Sequence, residues 1–189
     1  MCHSRKGGDL VRSGARWMSV LRAGAVRGLR MYILIDSREK PRAITKIIDT
    51  FQQRGIRYDT CKLYIGDYQD HGNPRLVVDR KQNVNELATN CTTDRERFKR
   101  ELERAKKTGT HVVVLVEQKT YGSGKDRKAL ETIEDLMLWK SPYCNVPGER
   151  VFRVLNAWTV KYPLTVRFCA KRDTGAEIIK ILGGEYGAK

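Results

Sequence analysis

Val112-Val113-Val114-Leu115-Val116 is an unbroken apolar run of strand length. A strand that is apolar on both of its alternating faces has to be covered on both sides. The chain therefore needs layers above and below one central sheet, and the surrounding pattern supplies them. Tyr32-Ile33-Leu34-Ile35 is a second short buried run, ending at Asp36. After Pro41, the spacing of Ile44, Ile47, Ile48 and Phe51 predicts a helix that stops near Gly55. Arg57 to Tyr64 and Leu76 to Lys81 read as strands separated by turn signals at Gly66-Asp67 and Gly72-Asn73-Pro74, a hairpin-like pair. Thr93-x-x-Glu96 predicts a capping box that opens a helix, with Phe98, Leu102 and Ala105 as its buried stripe and Thr108-Gly109 as its end. Residues 118–128 read as a polar loop. Helical spacing returns at Leu130, Ile133, Leu136 and Met137, and again at Val151, Leu155 and Trp158. A strand over Leu164 to Phe168 and a helix around Ile178, Ile179 and Leu182 complete the pattern. Helices alternating with buried strands imply an α/β sandwich with a mixed central sheet.

The 189 residues suit one domain plus a tail, and the formal net charge is +15. Such an excess points to a polyanion, nucleic acid first. Residues 1–30 hold seven of the Lys and Arg residues against one acid, Asp9, and are rich in Gly and Ser. We read them as a disordered basic arm or as sequence upstream of a start at Met31, with an organelle transit peptide as the alternative. Residues 31–189 form the expected domain. No apolar run approaches the length of a membrane span. Cys2, Cys61, Cys91, Cys144 and Cys169 are odd in number and never spaced C-x-x-C. That argues against a disulfide framework and a zinc site, and predicts free thiols in a reducing cytoplasm.

The chemistry is expected at Leu76-Val77-Val78-Asp79-Arg80-Lys81. Residues two apart on a strand share a face, so Asp79 and Lys81 would sit together. A carboxylate holds a divalent cation, and an ammonium beside it orients water or offsets negative charge. Acid-x-lysine triplets are weak signals alone, and this chain has two others, Glu117-Gln118-Lys119 and Asp126-Arg127-Lys128. The last lies in a polar loop with no strand before it. The first follows the most apolar strand and is a serious rival. Asp79 is favoured by a nearby second acid, Asp67, with Asp36 at the end of the first strand as a third. Mg²⁺ is held by one or two carboxylates with water and phosphate oxygens.

In order, the chain carries Ile35-Asp36-Ser37-Arg38-Glu39-Lys40-Pro41, Gly66-Asp67-Tyr68, Val78-Asp79-Arg80-Lys81 and Arg97-Phe98-x-x-Glu101-Leu102, then the strand ending at Glu117. Over about residues 32–183 this resembles the XPF-type nuclease domain, a branch of the restriction-endonuclease-like PD-(D/E)XK superfamily. The resemblance implies a restriction-endonuclease-like α/β/α sandwich and a Mg²⁺- or Mn²⁺-dependent DNA endonuclease. By position, Asp67 and Asp79 would be the main metal ligands, Asp36 a further acid at the metal, and Lys81 the catalytic lysine. Arg38 and Glu39 would support the site, and Arg80 would offer its backbone carbonyl. The family usually has Glu where this chain has Asp79. Its trailing acid is displaced, with Asn85 at the position and Glu86 one residue later.

The resemblance also implies branched, flap or junction DNA as substrate, in repair, recombination or phage DNA processing. A homodimer or a nuclease-family partner and a bacterial or phage-infected host cytoplasm belong to the same expectation. An inactive, DNA-binding relative of the fold is the alternative. Gly122-Ser123-Gly124-Lys125 fails as a nucleotide-binding loop, since Lys119 stands where a glycine is required and Asp126 where Ser or Thr would bind Mg²⁺. No nucleotide cofactor is expected. Lys125, with Arg95 and Lys99, is a candidate phosphate contact. Tyr121, Trp139 and Tyr143 are candidates for stacking on unpaired bases, set against ordinary packing.

Overall fold

The computed structural model describes residues 31–184 except 142 and 144. The expected N-terminal extension, residues 1–30, and Cys144 lie outside the described residues. Strand β1 (Tyr32–Asp36) leads into helix α1 (Pro41–Gln53), which opens on a proline, a residue suited to a helix start because no partner exists there for its missing N–H. Strands β2 (Arg57–Cys61), β3 (Tyr68–Asp70) and β4 (Asn73–Lys81) follow. Helices α2 (Val84–Cys91) and α3 (Arg95–Thr108) then precede β5 (His111–Val116). Two short strands, β6 (Thr120–Tyr121) and β7 (Lys128–Ala129), pair as a small hairpin around a 3-10 turn at Gly124–Asp126. A 3-10 helix (Ile133–Leu138), α4 (Gly148–Lys161), β8 (Leu164–Phe168) and α5 (Thr174–Leu182) complete the chain.

The main sheet has six strands in the order β2-β1-β3-β4-β5-β8. β1/β2, β4/β5 and β5/β8 are parallel, and β3 runs antiparallel to β1 and β4. The apolar run of β5 sits between β4 and β8, with Val112, Val114 and Val116 in one core and Val113 and Leu115 in the other. The first core packs under α2, α3 and α4, and the second under α1 and α5. The expected α/β/α sandwich with a mixed sheet is therefore the observed fold. Among the described residues, no helix is long and apolar enough to cross a membrane.

Four local readings are corrected. Residues 57–61 do not pair with β4. They form an edge strand parallel to β1, reached through α1 as a crossover, and most of their side chains are exposed. The true hairpin partner of β4 is β3, only three residues long and half polar, too short to give a periodic signal. The second miss is α2, whose N-cap Asn83 accepts a hydrogen bond from Glu86 N at 3.0 Å. Helix α3 starts after Asp94 without a side-chain cap, so Thr93 opens no capping box. Of the apolar positions at 130–137, Ile133, Leu136 and Met137 belong to a 3-10 helix whose own capping box is Thr132 with Asp135, and Leu130 precedes it.

Candidate active site

Strand alternation decides what the end of β4 presents. Val77, Asp79 and Lys81 point to the α2/α3 side, and Val78 and Arg80 to the α1/α5 side. Asp79, Arg80 and Lys81 are all buried, at 4%, 6% and 7% exposure. Ionised groups so placed need partners or a ligand, and the two sides meet that need differently.

On the α1/α5 side, the Arg80 guanidinium forms a two-pronged bond to Glu39, Nε to Oε1 at 3.0 Å and Nη2 to Oε2 at 2.7 Å. Its Nη1 lies 3.2 Å from Glu117 Oε2. Burial alone would lower the Arg80 pKa, but Glu39 and the surrounding negative groups outweigh it and raise it. Glu117 belongs to this ion-pair cluster. Its exposed follower Lys119 does not line the cleft, and Asp126 lies in the exposed 3-10 turn. The structure thus keeps both rival triplets away from the Asp79–Lys81 side.

On the other side, Lys81 Nζ lies 2.7 Å from Asp79 Oδ2 and 5.6 Å from the Phe98 ring centre. The second carboxylate is delivered by backbone. Gly66 has φ +70°, and a Cβ there would lie 3.1 Å from the Val77 side chain and from Val78 O. Only glycine fits that close turn over β4. Asp67 N then donates to Val78 O at 2.8 Å, and Asp67 O accepts from Asp36 N at 2.8 Å. With its backbone fixed, Asp67 reaches over the strand end, and its Oδ2 accepts Arg80 N at 2.8 Å. Helix α3 braces the turn: Glu101 Oε1 accepts Gly66 N at 2.9 Å. Burial first, and the Asp79 charge second, push the Asp67 carboxyl well above the usual carboxylate range. Burial would lower Lys81, but Asp79 and Asp67 hold it above its ordinary value.

These groups line a cleft of about 300 Å³ with Glu39, Glu86, Glu101, Arg38 and Arg97 at its walls. Among the described residues no three or more acid, His or Cys side chains converge as a cation cage. The residues present still fit a hard divalent cation that keeps several waters. Two carboxylates share the cleft, and Asp79 Oδ2 is buried with no aligned hydrogen-bond donor, its lysine neighbour notwithstanding. Lys81 O is taken by Glu117 N on the β5 side. Alternation therefore turns the Arg80 N–H and C=O to the opposite edge, where Asp67 sits. Two carboxylates and a carbonyl suit Mg²⁺.

Several expected residues lie elsewhere. Asp36 does not line the cleft. Its Oδ1 accepts Arg38 N and Arg38 Nε, both at 2.7 Å, and its Oδ2 accepts Leu63 N at 2.8 Å and Arg38 Nη2 at 2.9 Å. Burial would raise its pKa, but these hydrogen bonds and the Arg38 charge hold it below the usual range. Four donors leave it placed to orient Arg38 and the 63–67 turn rather than to meet a cation. Glu86 lines the cleft wall, and its Oε2 accepts Gln82 N at 2.8 Å, bracing the start of α2. With Phe98 and Leu102 facing the core, a helical turn puts Arg97 and Glu101 on one flank of α3 and Arg95 and Lys99 on the other. Neither Arg95, Lys99 nor Lys125 lines the cleft. Arg97 and Glu101 do, and they received no role from sequence. The usable signal was their spacing of four residues beside the buried Phe98 and Leu102.

Two solved structures are similar to this fold. XPF from Aeropyrum pernix superposes with a TM-score of 0.56 at 12% identity, covering 82% of this chain and 65% of that one. XPF from Aeropyrum pernix in complex with DNA gives 0.55 at 14% identity over the same shares. The chain thus spans somewhat under two thirds of those chains, and at this identity the likeness is one of fold. No curated protein matches the sequence. The model of the ERCC4 domain matches residues 35–182, which contain every strand end and turn that builds the cleft except the first residues of β1. By that match, the chain belongs to the ERCC4 domain family.

Proposed function

We propose that this chain is a metal-dependent DNA endonuclease acting on branched, flap or junction DNA. The observation that carries the reading is the pair Asp67 and Asp79 with Lys81 in one cleft, at a buried strand end, in a strongly basic chain. Asp67, Asp79 and the Arg80 carbonyl would hold Mg²⁺ or Mn²⁺. The ion, when bound, would supply charge stabilisation to the scissile phosphate and a more acidic water.

The chain's own residues do the rest. Lys81, kept cationic by Asp79 and Asp67, holds a positive charge at the cleft for the attacking water and the phosphate oxygens. Arg38 and Arg97 on the cleft wall are suited to grip neighbouring phosphates. The Glu39–Arg80–Glu117 cluster fixes the strand end, so that Asp79 and Lys81 do not need to be positioned by substrate. Binding by the wider basic surface would be sequence-independent and would weaken with salt. A homodimer or a related partner, and a role in repair, recombination or phage DNA processing, are part of the same proposal.

Cleavage of flap, fork and linear DNA with Mg²⁺ tests it, comparing the wild type with Asp79→Ala and Glu117→Ala. Loss of cutting in Asp79→Ala with retained DNA affinity is expected. Normal cutting by Asp79→Ala overturns the assigned site. A wild type that binds every substrate and cuts none with any divalent metal makes the chain a binding module.

A further inference from the structure

The 63–67 turn also borders a second pocket, of about 320 Å³, that shares no lining residue with the cleft. Ile65, Val77 and Thr110 in its lining are buried, and Tyr64, Arg75 and Gln69 line it as well. No acidic residue lines it. Tyr64 is 70% exposed, unusual for a large aromatic side chain on a segment held so firmly. The Arg104 guanidinium covers one face of its ring, 5.3 Å from the ring centre. Arg104 Nε is buried with no hydrogen-bond acceptor among the described residues, so packing on the ring is what holds it there. The ring is otherwise largely exposed.

The segment carrying Tyr64 is pinned at both ends, by Leu63 N to Asp36 Oδ2 at 2.8 Å and by Gly66 N to Glu101 Oε1 at 2.9 Å. Tyr64 therefore comes pre-ordered and loses little freedom on binding. Asp67 lies three positions further along the chain, a reach of at most about 11 Å. Arg97, Glu101 and Arg104 follow one another along the same flank of α3. The cleft and the tyrosine are thus joined by one strip of helix and lie within a few nucleotides of each other.

Resting on the nuclease reading, we propose that Tyr64, backed by Arg104, is the stacking platform for an unpaired base of the DNA strand whose phosphate lies in the cleft. A bare aromatic face accepts any base, and an adjacent cation with no acidic neighbour in the pocket suits the attached phosphates. This makes Tyr64 a positioning residue that favours DNA with unpaired nucleotides next to the cut. Among the aromatics picked from sequence, Trp139 is in the core and is not available for this, whereas Tyr64 had no distinguishing pattern.

The test uses the full chain without divalent metal and oligonucleotides with 2-aminopurine stepped along the unpaired strand of a fork. The wild type is expected to quench the probe at one position. Tyr64→Ala should lose that quench and bind the fork about tenfold more weakly, with affinity for blunt duplex unchanged. Tyr64→Phe should keep both. An unchanged quench in Tyr64→Ala, or an equal loss on fork and duplex, overturns the platform. So does a changed sedimentation mass in Tyr64→Ala, which would make the ring a subunit contact. Normal cutting and binding by Tyr64→Ala, with an active wild type, removes the platform and leaves the nuclease standing. A wild type that neither binds nor cuts DNA removes both.

Discussion

On one face of the β4 end, Arg80 is met by Glu39 and Glu117, with two aligned bonds to Glu39. On the other face, one residue to either side, Asp79 and Lys81 share their cleft with Asp67, and Asp79 Oδ2 keeps no aligned donor. Both faces bury ionised groups. What separates them is the geometry of pairing: Arg80 makes two aligned bonds to Glu39, whereas the Asp79–Lys81 contact supplies none, although Arg80 Nη1 and Glu117 Oε2 also lack an aligned partner among the described residues. A two-pronged, aligned pair is expected to hold the structure, and an unaligned one to hold something that arrives.

The sharpest way to break that contrast is Asp79→Asn. Cleavage should fall by on the order of 10²–10³-fold or more, the scale for losing one preorganised contact to the reacting phosphate. Thermal unfolding should change little, since the substitution also relieves repulsion with Asp67. A large drop in melting temperature would mean that this face is structural as well.

Arg80→Met is the converse. It strands Glu39 and Glu117 in a buried site, and urea unfolding should record a loss of about 3–5 kcal/mol. If stability barely moves, the Glu39–Arg80–Glu117 cluster is not what orders the strand end. Glu117→Gln is milder, because Arg80 keeps its two bonds to Glu39. A loss of about 1 kcal/mol with near-normal cleavage is expected, and a dead enzyme would move the chemistry to the wrong face.

The smallest effect lies at the far end of the β4/β5 pair. His111 is half-buried, its Nε2 is 2.9 Å from Thr165 Oγ1, and burial lowers its pKa. The unfolded chain therefore takes up the proton first as pH falls. Stability from this residue is full above the ordinary histidine value and is lost as pH drops towards the folded one. His111→Asn should flatten that part of the unfolding-against-pH curve. An unchanged curve would assign the acid sensitivity to other groups.

The sheet's interior was readable because Val112–Val116 has no polar position, which leaves one kind of environment for it. The pairing of β3 was not, because Tyr68, Gln69 and Asp70 carry no period and owe their strand conformation to neighbours on both sides. At the site, Asp79 and Lys81 share a face by alternation alone. Their difference from Glu117 did not follow from local pattern, since it depends on Glu39 reaching Arg80 across 41 residues. Asp36 shows the same limit. Its acidity was legible, and its four donors were not, because one of them, Leu63 N, arrives from 27 residues away. The flank of α3 that meets the cleft needed the position of the 63–67 turn, which no helical pattern contains.

Asp36 also changes what an acid in this position signifies in other chains of the same design. It ties the end of β1 to the approach of the 63–67 turn through bonds that make no use of a bound ion. A chain of this fold without the proposed cutting activity would be free to lose Asp79 and would still need Asp36 to keep its shape. Counting surviving acids would then overstate activity. The residue to inspect first is the one whose removal the fold would tolerate.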